Sequence, residues 1–387
     1  MRGLTQIPMV SRERNPGIIG IHQPYLASGC FALYLVSNLM IKSFASNWLA
    51  VGWLALFAGC FLAPMSLKPR LVFFGLVALL TSHALAIPGS ILWGSGNWEL
   101  TAGVVFWMGP SLLLYVSDGT RYVFAWLVPV WIVHAASIIW AGFTGWRLAE
   151  GEVVPAQLSP SGISHNPNIA AGFLVLGIVY LLTRRGYIRL LATPLLVALL
   201  FTGSRWGLLV CGMVIIGLII NRTVSWQWVA GLVLAGIVAV GVVGAVTPAN
   251  YMLAGYSSVG AVIEPAGGDV LARLAVPHLP SILPKGVAEN AGLHNVPLRI
   301  AVESGIIAAL LWVGITGMAL VGQRHTVGWW LLLAILLLSM LDYYTWMGHL
   351  GGFWWLLIGL LVKKDRVSCE AARPDSVVTD AGPELPT

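Results

Sequence analysis

Charge is scarce in this chain, and cysteine is scarcer. Only 9% of its 387 residues are Asp, Glu, Lys or Arg, too few to cover a soluble domain of that length. Of the four cysteines, Cys30, Cys60 and Cys211 fall in apolar runs and Cys369 in a polar tail, so neither a disulfide framework nor a cysteine metal site is expected. The sequence holds no Gly-x-x-x-x-Gly-Lys-Ser/Thr loop to cradle nucleotide phosphates. It also holds no Asp-x-Asp pair to grip a divalent ion and a sugar nucleotide. No basic face with interleaved aromatics is present either, which removes nucleic acid as a partner.

What the chain has in abundance is oil. Hydrophobic residues make up 58% of it, with 18 tryptophans and a mean hydropathy of +0.85. A bilayer core takes about 20 apolar residues per helix, and about twelve candidate spans follow, near 22–40, 48–65, 71–87, 100–116, 122–141, 168–182, 188–201, 206–220, 229–246, 298–321, 327–341 and 348–361. These runs are apolar on all sides and too long for barrel strands, so helices must satisfy their own backbone hydrogen bonds in lipid. The expectation is an all-α polytopic membrane protein. Its polar N-terminal stretch 1–21 is expected in the cytoplasm with no cleavable signal. The transmembrane domain covers 22–362, and 363–387 reads as a disordered cytoplasmic tail.

Orientation follows from the basic residues. With twelve spans and the N-terminus inside, 15 of the 21 Lys and Arg fall on the cytoplasmic side, Arg184, Arg185, Arg189, Arg222 and Arg324 among them. The outer side receives Lys42, Arg147, Arg205, Arg273, Lys285 and Arg299. The net charge of +6 is thereby accounted for. Trp93, Trp98, Trp140, Trp146, Trp329 and Trp330 lie near span ends, where indole rings favour the interface.

Two loops then reach the outer face, about 142–167 and a large one, about 247–296, between spans nine and ten. Both close on the same short phrase, Ser164-His165-Asn166-Pro167-Asn168 and Leu293-His294-Asn295-Val296-Pro297. Asn ahead of a helix with Pro in its first turn is ordinary capping, so each Asn has a structural reading beside a functional one. Arg205 interrupts the apolar run 190–220, where a charge at mid-depth costs about 2.5–3.5 kcal/mol. It follows Thr202-Gly203-Ser204, which must turn between spans seven and eight. Snorkelling to the headgroups is its plainer explanation.

Taken together, Arg205, Arg273, Lys285, His294, Arg299, Glu303 and Asp342 bring several cations to one water–lipid boundary. Guanidinium groups hold phosphates with paired hydrogen bonds, and an imidazole with an ordinary pKa of about 6.5 can take a proton at neutral pH. That set suits attack by an acceptor hydroxyl on a carbon whose leaving group is a phosphate or pyrophosphate. With no nucleotide outside the cytoplasm, an activated lipid-linked sugar is the natural donor. Arginines would stabilise its leaving group in place of a metal, and no cofactor is expected.

At these residues the chain resembles the O-antigen ligase and polymerase family of bacterial inner membranes, over roughly 162–361. Four stretches carry the resemblance: Gly162-Ile163-Ser164-His165-Asn166-Pro167-Asn168; Thr202-Gly203-Ser204-Arg205-Trp206-Gly207; His294-Asn295 followed by Glu303-Ser304-Gly305-Ile306-Ile307; and Leu341-Asp342-Tyr343-Tyr344-Thr345-Trp346. The resemblance implies metal-independent, inverting transfer of a glycan from undecaprenyl pyrophosphate to an acceptor hydroxyl at the periplasmic face. It assigns pyrophosphate binding to Arg205 and Arg273, with Lys285 as the alternative loop cation, and the role of base to His294. Asn295, Arg299, Glu303, Asp342 and Asn168 are supporting residues, and His165 is the rival base. Glu303 would orient His294 or pair with Arg299.

The acceptor is lipid A core for a ligase and another lipid-linked repeat for an O-antigen or exopolysaccharide polymerase. A lipid-linked sugar transporter or flippase is the alternative of another class; it would favour ionisable residues near mid-membrane and repeated halves. A peptidoglycan polymerase would need an outward acid as base, from among Glu264, Asp269, Glu289 and Asp342.

Overall fold

The computed structural model describes residues 122–144, 146–149, 152–155, 160–164, 166–246, 295–322, 324, 326–340 and 350–362, with scattered positions within 25–36 and 77–81. The expected spans at 48–65 and 100–116, the N-terminal stretch, the tail and nearly all of the large outer loop lie outside the described residues.

The described chain is mostly helical. It runs α1 (Val123–Thr144), a hairpin of β1 (Trp146–Ala149) and β2 (Glu152–Pro155), α2 (Pro167–Leu182), a 3-10 turn (Gly186–Leu191), α3 (Ala192–Phe201), α4 (Arg205–Ile220), α5 (Trp226–Val246), α6 (Val296–Glu303), α7 (Ile306–Gly322), α8 (Val327–Ser339) and α9 (Gly351–Val362). The hairpin pairs antiparallel, Trp146 opposite Pro155 and Ala149 opposite Glu152. It departs from the all-α expectation, although it occupies the loop expected at 142–167. A period-2 signal four residues long is too brief to read against such a background.

Among the described residues one helix, α1, is long and apolar enough to cross a membrane, with 22 residues and a mean hydropathy of 1.9 over its best window. At 1.5 Å per residue it reaches about 33 Å, against a hydrocarbon thickness of about 30 Å. Of the other apolar helices, α5 has 21 residues, and α2, α3, α4, α7 and α8 are shorter.

Helix α2 is the axis of the bundle. Every residue from Ile169 to Leu182 is buried, as expected of a helix hydrophobic all round, and α1, α3, α4 and α8 pack around it. Small residues set the closest approaches. A Cβ on Gly207 of α4 would stand 2.7 Å from the Cβ of Ala171, and one on Gly172 would stand 2.6 Å from Leu350 Cδ1 and 3.5 Å from Leu338 Cδ1. At the other end of the bundle Gly217 of α4 admits the Trp330 ring, with Cζ3 at 2.7 Å. Trp330 is therefore a buried packing residue and not the interfacial anchor its position near a span end suggested. The outward faces are apolar too: Leu209, Met213, Ile216 and Ile220 form an exposed stripe on α4, and Ile307, Leu310, Val313 and Val321 another on α7.

The tenth expected span, 298–321, is two helices. The chain breaks at Ser304 and Gly305 between α6 and α7, with Gly305 at φ +92°, a conformation that side chains with a Cβ rarely adopt. Hydrophobicity alone smoothed over this break.

Candidate functional site

Three helix starts and one helix end meet at the same end of the bundle. Because Gly207 meets Ala171 and Gly172 meets Leu338 and Leu350, the N-termini of α2 and α4 lie together with the C-terminus of α8. The N-terminus of α6 is tied to them by Asn295, whose Nδ2 donates to the Met340 carbonyl at 3.1 Å. The sequence reason is capping. Asn166, Ser204 and Asn295 each sit in extended backbone just before a helix and accept from its first turn: Asn168 N to Asn166 Oδ1 at 2.8 Å, Gly207 N to Ser204 Oγ at 3.3 Å and Leu298 N to Asn295 Oδ1 at 3.1 Å. Pro167 and Pro297 occupy first-turn positions, where a missing N–H costs nothing.

The turn that delivers Arg205 is built tightly. Thr202 Oγ1 donates to Leu199 O at 2.7 Å and accepts from Ser204 N at 3.3 Å, while Gly203 takes φ +64°. Thr202 and Ser204 are buried, whereas Arg205, the first residue of α4, is exposed. Its side chain thus starts at the positive end of a 16-residue helix, where the dipole favours an anion.

Arg299 and Glu303 do something different. Both are buried, at 5% and 1% exposure, and Arg299 Nε donates to Glu303 Oε1 at 2.6 Å across one helical turn. Of the two roles expected for Glu303, pairing with Arg299 is the one seen. Asn168 is half-buried on the first turn of α2, and the loop before it is pinned by Ser164, whose Oγ donates to the Asn166 carbonyl at 3.1 Å. Arg205, Asn168 and Asn295 are thus gathered at one end. His294, Arg273, Lys285, Asp342 and His165 lie outside the described residues.

One residue escaped the sequence reading. His134, in the middle of α1, is fully buried, and among the described residues neither ring nitrogen has a well-formed hydrogen bond. The backbone of Ala170 lies alongside, and the ring stands edge-on to Phe173 at 5.5 Å. A Cβ on Gly162 would come within 3.2 Å of its Nδ1, so the loop ahead of α2 reaches down to this histidine. An ionisable residue in mid-span was the available signal. Among the described residues no group of three His, Cys, Asp or Glu is placed to hold a metal.

The chain matches no family model, and no curated protein matches it.

Proposed function

We propose that this is a multi-pass membrane glycosyltransferase of the O-antigen ligase type, moving a glycan from undecaprenyl pyrophosphate onto an acceptor hydroxyl of lipid A core at the periplasmic face of the inner membrane. Two features support embedding in lipid. The outward faces of α4 and α7 are apolar along their lengths, which a water-facing surface rarely is. The helices also approach at Gly172, Gly207 and Gly217, the small-residue contacts by which helices associate where burial from water supplies no drive.

The observation that carries the chemical reading is that Arg205 and Asn295 lie at the same end of the bundle. Arg205 sets an exposed guanidinium on the positive end of α4, suited to the diphosphate of the leaving group. Asn295 anchors the chain at the residue that follows His294. In the proposed reaction His294 takes the proton of the acceptor hydroxyl, the oxygen attacks the anomeric carbon with inversion, and the lipid pyrophosphate departs with its charge held by Arg205 and a cation of the large loop, Arg273 or Lys285. The buried Arg299–Glu303 pair fixes the helix that follows His294 and takes no part in proton transfer. With no match among family models, the assignment rests on these residues and on the motifs quoted from the sequence.

The test is reconstitution in vesicles with a labelled undecaprenyl-pyrophosphate glycan, with and without lipid A core. Glycan on lipid A core supports the ligase. Chain growth on the donor alone assigns the polymerase. Movement of intact donor across the bilayer without transfer assigns a transporter and ends the enzymatic reading, as does inertness with both lipids present.

A further inference from the structure

The end of the bundle away from Arg205 gathers arginines from two separate connections. Arg184 and Arg185 follow α2, Arg189 sits in the 3-10 turn Gly186–Leu191, and Arg222 follows α4. Arg189 locks the two connections together: its Nε donates to the Arg184 carbonyl, its Nη2 reaches the Thr223 carbonyl at 3.5 Å, and its guanidinium carbon stands 5.9 Å from the centre of the Trp228 ring. Arg184 folds back over Tyr180, 4.3 Å above the ring, with Nη2 donating to the phenol oxygen at 2.5 Å. Arg185 is close enough to Arg189 to act on it as a like charge. Among the described residues no carboxylate pairs with any of these four.

Arg222 adds an oddity of backbone. It closes α4 with its N–H on the Ile219 carbonyl at 2.9 Å while Thr223 N donates to the Leu218 carbonyl at 2.9 Å, and it does so at φ +54°. This turn ordinarily takes glycine, and a side chain here is strained. The general excess of cations on a cytoplasmic side asks neither for interlocked guanidinium groups nor for an arginine where glycine fits best. Around the cluster the surface is apolar and aromatic: Tyr187 is 85% exposed and Trp226 64%, with Leu190, Leu191 and Ile220 also exposed. A soluble phosphate would need no such collar. A phosphate carrying acyl chains would rest its chains on it.

We propose that Arg185, Arg189 and Arg222 form a binding site for the headgroup of an anionic phospholipid, with Tyr187 and Trp226 flanking its acyl chains. Basic pockets between helix ends are suited to such headgroups. The site rests on the chain being embedded in a bilayer and is independent of glycosyl transfer.

Thermal melting of the purified full chain in neutral detergent tests it, with phosphatidylglycerol, phosphatidylcholine or soluble glycerol phosphate added. Phosphatidylglycerol is expected to raise the melting temperature and the other two to leave it in place. Arg222→Gly suits the backbone of the turn, so it should fold at least as well as the parent while its affinity for phosphatidylglycerol falls about tenfold, the loss of one charge-assisted contact. With Arg185→Gln added, the lipid effect should vanish. An undiminished shift in that double variant overturns the proposal, as does an equal shift with phosphatidylcholine. A shift reproduced by glycerol phosphate alone overturns it in favour of a soluble phosphate site.

Discussion

Asn295 holds two helices at once: its Oδ1 caps α6 through Leu298 N, and its Nδ2 ties that cap to the carbonyl of Met340 at the end of α8. Serine at this position keeps a capping oxygen but is too short for the tie, while alanine loses both. Asn295→Ser is therefore expected to lose transfer activity with little change in melting. Asn295→Ala should lose the same activity and a further 1 kcal/mol or so of stability. Equal stability of the two variants would show that the cap contributes nothing here.

The Arg299–Glu303 pair makes an opposite kind of prediction. Removing Arg299 takes the ion-pair partner from the buried Glu303 carboxylate, at a cost of about 3–5 kcal/mol. Replacing both with apolar residues of similar volume, Arg299→Met with Glu303→Leu, is expected to be near neutral. If the pair serves only to shape α6, transfer activity returns with stability in the double variant. Restored melting without restored turnover would instead put one of the two in contact with substrate.

Where α4 crosses α2, Gly207 and Ala171 leave no space for another carbon. Gly207→Ala is expected to part the helices and cost about 1–3 kcal/mol. Ala171→Gly in the same chain should recover most of that cost, because the two positions share one contact and cannot behave additively. The pair of melting curves measures the coupling, and simple additivity would mean that the two helices do not meet there.

Much of this framework was legible in the residues. Apolar runs gave the helices at 123–144, 167–182, 205–220 and 327–339 to within a few positions, because a backbone in an apolar setting must close its own hydrogen bonds. The capping roles of Asn166 and Asn295 followed from Asn-Pro and Asn-x-Pro spacing. The break at Gly305 did not, since a Ser304-Gly305 pair followed at once by Ile306 and Ile307 leaves the hydropathy of the run almost unchanged and only the φ of +92° at Gly305 discloses the turn. Trp330 was misjudged for a related reason: hydropathy shows that a residue avoids water, and it was Gly217, on another helix, that decided whether the ring faced inward. His134 is a single histidine inside a 22-residue apolar helix, and it leaves the hydropathy of that run almost unchanged.

Arg205 and Asn166 stand at the starts of their helices at the same end of the bundle, yet their side chains differ in exposure, and that difference separates the proposed chemistry of Arg205 from the capping by Asn166. Arg205 is exposed, so Arg205→Ala is expected to leave melting within about 0.5 kcal/mol of the parent. Loss of one preorganised donor to the leaving group should lower turnover about 100- to 1,000-fold. Arg205→Lys restores the charge but not the paired hydrogen bonds a guanidinium makes, so it should recover donor binding more than turnover. Steady-state rates against donor concentration separate the two effects: KM near the parent value in the lysine variant with kcat still depressed means that the guanidinium acts in the transition state. A normal rate in Arg205→Ala would reduce this residue to a snorkelling side chain and leave the positive end of α4 without a role in transfer.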